Sequence, residues 1–216
     1  STGELRDADA RAAEGVAPQP EAPVRPGIDV LLADSLHLVE GRRVGFVTNH
    51  TALDAEGVHA IDRLAGHPGV ELVALYSPEH GIRGDAEAGV LVDSSMDEAT
   101  GLPVHSLYGA TRKPTPEMLD GVEVLLFDIQ DVGTRYYTYV YTMALAMEAA
   151  GEAGIPFVVL DRPNPVGGEA VQGNVLDPAF ASFVGMYPLP MRHGMTPGEL
   201  ARLYQGAFGV EAALHL

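Results

Sequence analysis

The sequence contains no cysteine and no tryptophan, and Lys113 is its single lysine. Without cysteine, disulfides and thiolate metal sites are excluded, and the redox compartment is left open. Positive charge is scarce: 13 Lys and Arg face 30 Asp and Glu, giving a net charge of −17. A nucleic-acid partner needs clustered cations against phosphate, so that class is excluded. Every apolar run is cut short by charge, glycine or proline, so no membrane span is expected. There is no G-x-G-x-x-G after the first strand and no G-x-x-x-x-G-K-[ST], which removes the main support for a nucleotide site. Neither G-x-S-x-G nor S-x-x-K occurs, which counts against a serine nucleophile. No H-x-x-x-H pair occurs, and neither a metal nor a cofactor is expected.

The opening residues, Ser1-Thr2-Gly3-Glu4, have neither the cationic start nor the apolar core of a signal peptide. Residues 1–26 are rich in Ala, Pro and Glu and lack an apolar period, so a disordered tail is expected there. Such a tail fits a mature exported protein, periplasmic or extracellular and facing the cell envelope. A cytoplasmic protein is the alternative.

At 216 residues the chain suits one large domain, expected over 27–216. A short helix or irregular lead-in is expected near 27–32, and the first clear strand is 43–48. A helix around 57–65 places Val58, Ile61 and Leu64 on one face. A second strand, 71–76, follows, then a loop-like acidic stretch over 85–101 that would cover the sheet end as a flap. A weak strand lies at 104–107, and Thr115-Pro116-Glu117 opens a short helix. The run 122–128 is apolar on both faces, as in a central parallel strand. A helix over 138–153 ends at Gly154 and Pro156, and 157–161 is another buried strand. Residues 169–190 read as irregular. Thr196-Pro197-Gly198-Glu199 is a capping box that starts a helix to about Phe208, and the chain stops in what reads as a further strand. Alternating strands and helices on short loops give an α/β fold, a Rossmann-like, mostly parallel sheet flanked by helices.

Four predicted strand ends carry dense polar sets: Asn49 and His50; Glu79, His80 and Arg83; Asp128, Gln130, Asp131 and Arg135; and Asp161, Arg162 and Asn164. A fifth, Arg192 and His193, precedes the last helix. In one parallel sheet these project to the same edge, where open α/β sheets bind ligands. For any single Asp or Asn, helix capping is the better account; the convergence is what points to a cleft. Arginines concentrated at one edge of an acidic protein point to an anionic ligand group, or else to pairing with nearby carboxylates. Tyr136, Tyr137 and Tyr139 supply either a stacking wall for a sugar ring or core aromatics.

Four ordered motifs carry a resemblance: Ser77-Pro78-Glu79-His80-Gly81, Asp128-Ile129-Gln130-Asp131-Val132-Gly133-x-Arg135, Asp161-Arg162-Pro163-Asn164-Pro165 and Arg192-His193-Gly194-Met195-Thr196. With these the chain resembles the bacterial DUF1343 family of NamZ-like exo-β-N-acetylmuramidases, over residues 27–216. The resemblance implies the N-terminal, Rossmann-like catalytic domain of a normally two-domain protein, with the second domain absent from this chain. It implies a glycoside hydrolase that removes terminal N-acetylmuramic acid from the non-reducing end of peptidoglycan fragments, its partner being that small or oligomeric sugar. Glu79 then matches the general acid. Asp128 or Asp131 would activate water or steady the developing positive charge, unless the substrate's own 2-acetamido group is the nucleophile. His80 would orient Glu79. Arg135 and Arg162 would hold the lactyl carboxylate or fix the loop carboxylates. Asn49, His50, Arg83, Gln130, Tyr137, Asn164 and His193 complete the expected substrate-binding set. The rival expectations are a non-catalytic wall-binding module and a hydrolase of another amino sugar or ester.

Overall fold

The structure, a computed structural model, describes residues 24–84 and 94–216. The expected tail, apart from its last residues, and residues 85–93 of the flap expected over 85–101 lie outside the described residues. The described remainder of that stretch is not all loop, because Ser95–Met96 pairs as a short strand with Pro103–Ser106.

Seven strands form one sheet in the order β3-β4-β2-β1-β5-β6-β9. They are β1 (Arg43–Thr48), β2 (Glu71–Ser77), β3 (Ser95–Met96), β4 (Pro103–Ser106), β5 (Val124–Asp128), β6 (Pro156–Val159) and β9 (Ala213–His215). All neighbours are parallel except β3, which runs antiparallel to β4. From β1 the chain winds outward through β2 and β4, then returns to place β5 on the other side of β1. That reversal makes the C-terminal ends of β1 and β5 the topological switch point, where a crevice is expected.

Among the described residues four α-helices cover the sheet: α1 (Gly27–Asp34), α2 (Ala60–Ala65), α3 (Tyr139–Ala153) and α4 (Pro197–Phe208). The strand residues alternate between two cores. Val44, Phe46, Val124 and Leu126 pack with Ile28, Ile61 and Leu64 on one face. Val47, Leu125 and Phe127 pack with Val140, Met147, Leu200 and Tyr204 on the other. Both faces of β5 are buried, so its residues form an apolar run up to Asp128 at its end. The capping box at Thr196 and Glu199 is present in both directions, which fixes the start of α4.

Local expectations fail where tertiary contacts take over. Helix α2 starts at Ala60, not near Gly57, because the chain turns back through a Leu53–His59 bridge and His59 then caps the helix. Val58 is consequently left exposed. Thr115-Pro116-Glu117 closes a turn, Leu119 N–H donating to Thr115 O, and no helix follows. The irregular stretch 169–190 contains β7 (Gln172–Val175), which pairs antiparallel with β8 (Pro190–Arg192).

Gly151 shows how closely β9 is held. It lies inside α3, where Gly→Ala usually stabilises by about 1 kcal/mol. A Cβ here would sit 1.8 Å from Glu211 O. Gly151→Ala is therefore expected to destabilise, lowering the denaturation midpoint and detaching the 211–215 segment from α3. A raised midpoint would contradict this packing.

Candidate active site

The loop after β2 is built for an abrupt reversal. Pro78 is buried, and His80 (φ +72°) and Gly81 (φ +74°) are successive residues in the left-handed region. His80 is the one non-glycine among the described residues with positive φ. Such strain persists where surrounding contacts impose it, commonly at functional sites. The contacts here include the Tyr139 hydroxyl, which donates to Glu79 O at 3.3 Å. Glu79 is half-buried, and its carboxylate faces the hydroxyl of Tyr108, on the loop after β4. Burial and the Glu79 charge both raise the Tyr108 pKa, so that hydroxyl remains a hydrogen-bond donor at neutral pH.

Tyr137 and Tyr139, at the start of α3, meet edge to face with ring centroids 4.8 Å apart. Burial pushes the Tyr139 hydroxyl up to about 12, and the Asn49 side chain stands beside it. Asn49 is buried at the end of β1; its Oδ1 accepts from Thr51 N at 2.9 Å and from the Thr51 hydroxyl at 2.6 Å. His59 supports the same loop. Its Nδ1 accepts from Ile61 N, which leaves Nε2–H to donate to Asn49 O at 3.0 Å. Burial lowers the His59 pKa, consistent with a neutral ring. His50 is exposed, with its ring against Gly84.

Asp128 and Asp131 are both buried but differ in setting. Asp128 is fully buried, and both its oxygens accept from Arg162, at 2.5 and 3.0 Å. Burial pushes its carboxyl up to about 6 against the opposing pull of Arg162. Arg162 also donates to Leu53 O. This pair is a staple between the ends of β5 and β6, closed to a ligand. Asp131 Oδ2 accepts from Gly133 N at 2.7 Å and lies 3.2 Å from His193 Nε2. His193 Nδ1 accepts from Met195 N, so the proton is on Nε2, facing Asp131. Asp131 Oδ1 is buried with no hydrogen-bond partner among the described residues. The Tyr137 hydroxyl feels the charges of both Asp131 and Glu79, so Tyr137 lies near both.

The remaining predicted residues lace the loops together. Gln130 N–H donates to the Thr51 hydroxyl, and its side-chain amide donates to Asp131 O and Pro163 O. Asn164 donates to Met195 O and accepts from Val166 N. Gly133 (φ +79°) lies so close to Asn164 that a Cβ would meet its Oδ1 at 2.4 Å. Arg135 is buried and donates to the carbonyls of Asn174 and Leu189. Of the two roles expected for Arg135 and Arg162, the geometry favours holding loops over holding a ligand. Arg83 bridges Asp62 and Asp97, at 3.0 and 3.1 Å. Asp161 accepts from Thr196 Oγ1 and Gly198 N, so it caps α4.

A cavity of about 450 Å³ opens beside β2 and β4, lined by Ser77, Gly81, Arg83, Ser95 and Asp97 among others. It lacks Glu79 and the tyrosines, which lie on a separate shelf above the switch point. Sequence reasoning missed His59 and Tyr108. His59 lies between two glycine-flanked turns, and Tyr108 follows a weak strand; neither position carries a motif.

The description "Exo-beta-N-acetylmuramidase NamZ, N-terminal" matches residues 44–216. The chain belongs to the NamZ family. Its relative in Bacillus subtilis (strain 168), the peptidoglycan beta-N-acetylmuramidase NamZ, is 56% identical over 191 residues, covering 88% of this chain and 46% of that protein. A crystal structure of a DUF1343 family protein from Bacteroides fragilis NCTC 9343 superposes with a TM-score of 0.82 at 48% identity, covering 88% of this chain and 48% of that one. A second DUF1343 protein from the same strain gives 0.76 at 34% identity, covering 90% and 51%. The NamZ-family chain thus spans about half the length of these relatives. The match bears out the α/β, mostly parallel fold expected from the strand pattern.

Proposed function

We propose that this chain forms the Rossmann-like half of an exo-acting β-N-acetylmuramidase, which releases N-acetylmuramic acid from the non-reducing end of peptidoglycan fragments. The observation that carries this reading is the placement of Glu79. It is a carboxylate on a strained loop, set against Tyr108 and beside the Tyr137–Tyr139 pair at the edge of the switch point. Glycoside cleavage needs a carboxylic acid at the leaving oxygen and a second negative group near the anomeric carbon. Glu79 takes the first role. The tyrosine pair offers a wall for the sugar ring.

Asp131 suits the second role better than Asp128, whose oxygens are both taken by Arg162. Buried, bonded by Gly133 N–H and 3.2 Å from His193 Nε2, Asp131 acts as a fixed negative charge near Tyr137, steadying the oxocarbenium-like transition state. The 2-acetamido group of the substrate is then free to attack from its own ring. A wall substrate supports the reading that the protein is exported and faces the envelope, with a cytoplasmic protein as the alternative.

The test uses the full-length protein and short glycans of alternating N-acetylmuramic acid and N-acetylglucosamine. Free N-acetylmuramic acid is expected only from glycans that begin with that sugar. Internal cleavage, or release of N-acetylglucosamine from glycans that begin with it, would contradict the reading.

A further inference from the structure

Among the described residues, five arginines lie on segments at the C-terminal edge of the sheet, and four are committed within the fold. Arg83 and Arg162 pair with carboxylates, Arg135 with carbonyls, and Arg192 with Gln172 and Val166 O. Arg112 differs. Its guanidinium carbon lies 3.9 Å from the centroid of the Phe183 ring and 5.4 Å from that of Tyr108. Among the described residues it makes no ion pair and no hydrogen bond, in a chain with 30 acidic residues and a net charge of −17. Its neighbour Lys113 turns the other way, to Glu148 and Glu152.

Stacking fixes a guanidinium by its faces and leaves its N–H edge open. That edge matches a carboxylate in plane, through two parallel hydrogen bonds. The Tyr108 ring beside Arg112 carries the hydroxyl that faces Glu79. The open cation is therefore one aromatic ring away from the proposed general acid.

We propose that Arg112, held by Phe183 and Tyr108, reads the lactyl carboxylate of the terminal sugar and so selects N-acetylmuramic acid over N-acetylglucosamine. This rests on the muramidase reading. The two sugars differ only in the lactyl ether on O3. An acidic protein repels that anion unless a local cation receives it, and among the described residues Arg112 is the cation at this edge with its donors uncommitted. The Phe183 platform comes from the segment between β7 and β8, so that segment acts in specificity through the orientation it imposes on Arg112.

The test compares wild-type full-length protein with Arg112→Gln and Arg112→Lys. Binding of free N-acetylmuramic acid and of N-acetylglucosamine is measured by calorimetry, and kcat and KM on a chromogenic muramic glycoside by absorbance. A charge-assisted bidentate contact predicts that Arg112→Gln weakens N-acetylmuramic acid binding and raises KM by roughly 10- to 100-fold. N-acetylglucosamine binding should be unchanged and kcat within a few-fold. Arg112→Lys, which keeps charge but loses the planar edge, should fall between. Arg112 is exposed, so the variants should unfold at the wild-type temperature. An unchanged preference in Arg112→Gln, with the wild type active and selective, overturns the assignment and leaves the muramidase reading standing. Equal weakening toward both sugars also overturns it. A wild type that neither binds nor cleaves the muramic compounds overturns the muramidase reading, and this inference with it.

Discussion

Glu79→Gln in the full-length protein is expected to lower kcat by roughly 10²- to 10⁴-fold, the usual contribution of a positioned general acid, while KM stays within a few-fold. Glutamine keeps the length and polarity that meet Tyr108, so the loop should hold. It lacks the proton that the leaving oxygen requires. A loss confined to kcat marks an interaction made only in the transition state. Substrates with a better leaving group need less protonation, so their loss should be smaller. A variant with the wild-type rate would remove Glu79 from the chemistry, and the carboxylate would have to be sought elsewhere. A variant that still binds N-acetylmuramic acid but no longer turns over would also set aside the wall-binding module.

The second large effect concerns stability. Asp128→Asn leaves the Arg162 guanidinium buried without a counter-charge, since both Asp128 oxygens serve it and the pair is enclosed. Breaking a buried pair from one side costs about 3–5 kcal/mol. For a domain of this size that corresponds to a fall in Tm of roughly 6–20 °C. Removing both partners, with Asp128→Asn and Arg162→Met together, should recover part of the loss, because the orphaned charge is gone. Thermal unfolding of the two variants checks this. A single variant as stable as the wild type would mean that the staple between β5 and β6 does not hold the site.

Much of the framework could be read from the sequence because its causes are local. The apolar run at 124–128 is buried on both faces, and the box Thr196–Glu199 caps α4 by contacts three residues apart. The β7–β8 ribbon could not be read this way, because every residue of β7 is exposed and no apolar alternation marks it. Its position depends on Arg135 reaching Leu189 O, 54 residues away. The same holds for the charges. The sequence placed the arginines at one edge, but which were spent depended on distant partners, such as Asp128 for Arg162 across 34 residues. Arg112 lay in a turn without a motif, and only the rings around it mark it out.

The most direct measurement is chromophore release from a 2-acetamido muramic acid glycoside by the protein extended to the length of its relatives, with the N-acetylglucosamine glycoside as control. The account predicts turnover of the muramic compound and little or none of the control. Silence toward both from a folded protein, or equal turnover of the two, would contradict it.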